Sequence, residues 1–96
     1  MDTTTLPDAV DTYLREHRAA LVDLTERLIG FDTQNPPGGT TAVVDFLDSE
    51  LDGLASERIT VDPEKPNLLV TIPGERDRTL CFNGHLDTVR FDAVEW

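Results

Sequence analysis

The 96-residue chain is long enough for one small domain, and its 8 Lys and Arg against 19 Asp and Glu leave a net charge of −11. That charge excludes a generic phosphate-binding surface for nucleic acid and disfavours an anionic membrane surface, no stretch approaches the roughly 20 apolar residues of a membrane span, and residues 1–5 do not read as a signal peptide. Cys81 is the only cysteine, which excludes an internal disulfide and a Cys-x-x-Cys metal knuckle.

In chain order, residues 1–6 read as a frayed start. An amphipathic helix is predicted from Pro7 to Gly30, because Val10, Tyr13, Leu14, Leu21, Leu24 and Leu28 recur at spacings of three, four and seven. Pro7 suits the first turn, Asp8 complements the dipole there, and Gly30 can end the helix. Residues 32–39, Asp-Thr-Gln-Asn-Pro-Pro-Gly-Gly, read as an irregular, rigid turn. It lacks the Gly-Lys-Ser/Thr of a phosphate loop. Thr40 or Thr41 can cap a second helix, whose apolar face is Val43, Val44, Leu47, Leu51 and Leu54, with Phe46 beside it.

The period then changes. Ile59 and Val61 suggest a short strand, 62–66 a turn, and Asn67 to Ile72 a second strand with Leu68, Val70 and Ile72 on one face. After the solvated turn 73–78, Leu80-Cys81-Phe82 predicts a third strand, apolar on both faces and hence covered on both sides, with Cys81 a buried, inert thiol. The expected fold class is α/β, two helices followed by three strands.

Chemistry concentrates directly after that third strand, in Asn83-Gly84-His85-Leu86-Asp87-Thr88-Val89. In extended chain, side chains two apart share a face, so His85 and Asp87 point into the same space. The C-terminal ends of strands are where α/β enzymes build their sites. Neutral imidazole is a good zinc ligand, and it binds better when its other nitrogen donates to a carboxylate. A His-x-Asp pair can supply both parts. Taken alone the pattern is common and is more often a surface histidine near a surface aspartate. His17 reads as a histidine on the helix surface or the core edge.

The chain resembles the zinc-dependent amidohydrolase and peptidase family of acetylornithine deacetylase, succinyl-diaminopimelate desuccinylase, aminoacylase and glutamate carboxypeptidase. Three segments carry the resemblance in family order: Leu28 to Gly38 as the first helix end and its loop, Asn67 to Val70 followed by Pro73-Gly74 as a strand segment, and Leu80 to Val89 as the first metal motif. The resemblance implies that residues 1–96 form the N-terminal, incomplete segment of a single three-layer α/β/α catalytic domain, without the lid domain through which the complete enzyme would form a homodimer. It implies His85 as a metal ligand and Asp87 as the active-site carboxylate that buttresses it. The implied cofactor is a pair of zinc ions, with cobalt an alternative, and the implied reaction is hydrolysis of the amide of an N-acyl amino acid or small peptide.

Two departures stand out. Arg90 occupies a place where the family often has proline, and no residue from Phe91 to Trp96 matches a further ligand; Asp92 and Glu95 fit no ligand position. The expectation is a chain that is inactive by itself and binds metal weakly. The competing class is a small acidic, non-catalytic protein-interaction module or truncated remnant, in which His85 and Asp87 need not converge or line a concavity. Composition adds an expectation about solvent: one lysine (Lys65) among arginines, more aspartate than glutamate and abundant threonine resemble a protein of a high-salt cytoplasm, where ions screen self-repulsion. Marginal folding improved by salt follows.

Overall fold

The computed structural model describes residues 7–92. The predicted frayed start at residues 1–6, Glu95 and Trp96 lie outside them. The described chain is mixed α/β and falls into two compact units, divided between Gly30 and Phe31.

The first unit is helical. In place of the single predicted helix, α1 spans Asp8–Glu16 and α2 spans Arg18–Ile29. Pro7 occupies the N-cap position rather than the first turn. The helix is interrupted at His17, whose φ and ψ of −107° and 10° leave the helical range. Its imidazole lies stacked on Tyr13, centroids 3.9 Å apart, and Nδ1 approaches the Tyr13 carbonyl oxygen to 2.8 Å. That carbonyl also accepts the backbone N–H of His17 at 3.0 Å. A side chain that competes for a helical carbonyl bends or breaks the ladder locally. Arg15 pairs with Asp11, and Arg27 with Asp23, at helical i,i+4 spacing.

The second unit holds the core. Helix α3, Thr41–Glu50, turns Val43 and Val44 fully inward, with Leu47, Leu51 and Phe46 half-buried and the ring of Phe31 5.2 Å from that of Phe46. Thr40 stands at the N-cap as expected, but its hydroxyl does not cap. It donates to the Pro66 carbonyl at 2.9 Å, while its backbone N–H donates to the Glu64 carbonyl at 3.0 Å. The start of α3 is thereby tied to the turn that precedes the second strand of a hairpin.

That hairpin joins β2, Ala55–Ile59, to β3, Asn67–Thr71, antiparallel, with Glu57 opposite Leu69. Its turn is held by Asp62, which accepts the N–H of Glu64 on Oδ1 and that of Lys65 on its carbonyl. Leu68 and Val70 form the half-buried face of β3, as the alternation predicts. The preceding strand ends at Ile59, before Val61, which is 96% exposed. Arg58 on β2 reaches Asp45 at 2.8 Å and Asp48 at 3.3 Å, and Ser56 donates to Asp48 at 2.8 Å, so the hairpin is clasped to α3.

A second two-stranded sheet pairs β1, Gln34–Asn35, with β4, Thr88–Val89, in parallel. The predicted turn at 32–39 thus contains a short strand. The predicted strand at Leu80-Cys81-Phe82 does not form: Leu80 is 81% exposed, Phe82 is 89% exposed, and Cys81 is exposed rather than buried. An apolar run becomes a strand only where a ladder partner takes its N–H and C=O groups, and among the described residues none pairs with this one. Among the described residues the element order is therefore α1, α2, β1, α3, β2, β3, β4, with three helices instead of two and two small sheets. No helix among the described residues is long and apolar enough to cross a membrane.

Candidate functional site

The site is built where the loop after residue 30 meets the segment from 85 to 91. Thr33 is buried, its carbonyl accepts the N–H of Thr88 at 2.9 Å, and the two threonine hydroxyls lie 3.4 Å apart. Gln34 is a brace: its Nε2 donates to Asp32 Oδ1 at 3.0 Å and its Oε1 accepts the N–H of Phe91 at 3.1 Å. The β1–β4 pairing continues this stitching, with Gln34 opposite Thr88 and Asn35 opposite Val89. Gly38 closes the loop by donating to the Gln34 carbonyl at 2.7 Å, in a conformation with φ of +72° that favours glycine.

On this frame His85 and Asp87 converge. Nδ1 of His85 lies 2.5 Å from the backbone carbonyl oxygen of Asp87 and 3.2 Å from its Oδ1. Carbonyl and ionised carboxylate only accept, so the Nδ1 position carries the hydrogen. In the neutral ring the lone pair then sits on Nε2, on a side chain that is 82% exposed. The other carboxylate oxygen of Asp87, Oδ2, accepts a hydrogen bond from Asn35 Nδ2 at 3.0 Å. The amide of Asn35 and, secondarily, the charge of His85 hold the Asp87 carboxyl below the usual aspartate range.

The pair lies along the rim of a concavity of about 390 Å³, lined also by Asn35, Lys65, Leu68 and Val70. Extended chain predicts the shared direction of His85 and Asp87, and the geometry agrees. Their place in the fold differs from expectation: they precede the short strand β4 rather than follow a buried strand at 80–82.

The donor chemistry fits one corner of a zinc site. An imidazole with Nδ1–H turned to a carboxylate and Nε2 outward is the usual outer-shell arrangement of a metal-ligating histidine. It does not by itself make a site: among the described residues no group of three or more His, Cys, Asp or Glu could hold a metal ion. His17 belongs to the helical unit, half-buried against Tyr13, and has its own partner in the Tyr13 carbonyl.

Sequence reasoning missed Thr33, Gln34 and Asn35, the residues that seat the motif. Their one local signal is the placement of short hydrogen-bonding side chains just before Pro36-Pro37-Gly38, where a turn is certain but its partner is not visible. Comparison with family models, with curated proteins and with solved structures finds no match to this chain.

Proposed function

We propose that the chain supplies the first metal-ligand motif of a zinc-dependent amide hydrolase acting on N-acyl amino acids or small peptides, as part of a three-layer α/β/α catalytic domain whose remaining ligands lie outside the described residues. The observation that carries this reading is the His85–Asp87 geometry, with Nδ1 committed to Asp87 on an exposed ring that lines a concavity. His85 would hold the metal through Nε2. A bound zinc, or cobalt in its place, supplies polarisation of an amide carbonyl and a water acidified toward neutral pH.

The chain's own residues contribute orientation. Asp87 fixes the ring's tautomer and raises the basicity of Nε2. Leu68 and Val70 line the concavity with apolar surface, and Lys65, the chain's only lysine, lines it too. A hollow with apolar walls and a cation suits a small anionic acyl compound.

Zinc titration of the full chain in high salt, followed by calorimetry, tests the reading. The expected result is weak binding that disappears in His85→Ala. Zinc binding that is absent, or unchanged in His85→Ala, would leave the competing reading of an acidic non-catalytic module. Tight stoichiometric binding would overturn the statement that the other ligands lie elsewhere.

A further inference from the structure

We infer that Asn35 is a positioning residue for the His85–Asp87 pair, holding the Asp87 carboxylate turned toward the imidazole through its side-chain amide. The two carboxylate oxygens take different donors: Oδ2 receives Asn35 Nδ2 at 3.0 Å while Oδ1 stands 3.2 Å from His85 Nδ1. A carboxylate is planar, so anchoring one oxygen sets the direction of the other. Asp87 is 40% exposed and would otherwise rotate freely in water.

Asn35 can act as an anchor because it is itself held. Its backbone lies in β1, paired with Val89 two residues beyond Asp87. Its side chain lies over Gly38, where an added Cβ would come within 3.1 Å of Asn35 Cγ, so that glycine leaves the amide the room it occupies. The choice of side chain also has a chemical reason. An amide N–H orients a carboxylate without neutralising it, whereas arginine or lysine would form an ion pair and compete with the imidazole for its charge. Asparagine therefore leaves the full negative charge of Asp87 available to the ring. This deepens the metal-ligand reading proposed above, and it takes its chemical meaning from that reading.

The test uses the zinc-free full chain at one fixed, mildly alkaline pH. Nitrogen-15 resonances of the His85 ring are compared in the parent, Asn35→Ala, Asp87→Ala and the double variant, with the His17 ring as internal control. The expected result is that Asn35→Ala moves the His85 Nδ1 resonance most of the way to its Asp87→Ala position, and that adding Asn35→Ala to Asp87→Ala moves it no further. A His85 resonance unmoved by Asn35→Ala, or moved equally with and without the Asp87 carboxylate, would overturn the inference.

Protection of the Thr88 amide reports whether the frame survives. If Asn35→Ala loses it, the isosteric Asn35→Asp, which sets carboxylate against carboxylate, replaces it in the same comparison with the same two readings. In a zinc-binding chain, Asn35→Ala should also weaken zinc by about 10-fold or more. Absence of zinc binding in the parent would sink the hydrolase reading alone, since the ring resonances are read without metal.

Discussion

A Cβ added to Gly38 would stand 3.1 Å from Cγ of Asn35 and 3.2 Å from its Cβ, closer than side chains ordinarily approach. Gly38 also has a φ of +72°. Gly38→Ala should therefore cost roughly 1–2 kcal/mol from backbone conformation alone, and it should also displace the Asn35 amide from Asp87. Urea melts of the full chain read the first effect and the Asn35 side-chain amide resonances the second. Unchanged amide resonances in a destabilised variant would mean that the loop absorbs the methyl without moving Asn35.

Val44 is the one fully buried large side chain among the described residues. With so small a core, Val44→Ala should remove about 2 kcal/mol or more, a large share of any marginal stability. Val10→Ala, at a position 44% exposed on α1, should cost far less. Equal midpoints for the two variants would contradict the placement of the core on α3.

Asp48 is held below its ordinary value of 3.8 by the Ser56 hydroxyl first and by Arg58 second. A depressed folded-state pKa contributes stability that is present above the unfolded value and is lost as pH falls from it through the folded one. The α3–hairpin clasp should therefore weaken only below the ordinary aspartate range. Protonation of the other carboxylates acts in the opposite sense by relieving the −11 charge, so the clasp is read as a difference. The stability gap between the parent and Asp48→Asn should be present near neutral pH and close as pH falls below that range. A gap that does not depend on pH would assign the loss to packing.

The ion pairs of Arg58 are at the surface, and the whole chain repels itself. Added salt should weaken the first and screen the second. With 19 acidic against 8 basic residues, screening of repulsion should win, and the melting temperature should rise with salt. Circular dichroism across a salt series measures this, and a melt that is cooperative and independent of salt would contradict it.

Cys81 is exposed in a segment that has no strand partner among the described residues. A thiol reagent should modify it in the folded chain nearly as fast as in urea. Strong protection would mean that residues 80–82 occupy the covered strand that their composition predicts.

These cases show where local information ends. The helices, the 67–71 strand and the shared direction of His85 and Asp87 were legible because they follow from spacings of two, three and four along one backbone. The break at His17 was not, since Leu14 and Leu21 keep helical spacing across it while the imidazole competes for a single carbonyl. The strand at 80–82 was overestimated for a related reason: an apolar run is visible in sequence, but the ladder that would make it a strand belongs to another segment.

The amino-acid sequence by itself determined the acidic character, the amphipathic α3 helix, the β3 face and a histidine and carboxylate two residues apart, because each depends on composition or on neighbours within a few residues. Only the tertiary structure decided that Asn35 meets Asp87 and that Thr33 meets Thr88, across 52 and 55 residues of chain. Contacts of that separation arise when a turn such as 35–38 closes on a distant segment, and their hydrogen bonds leave no periodic trace in either partner.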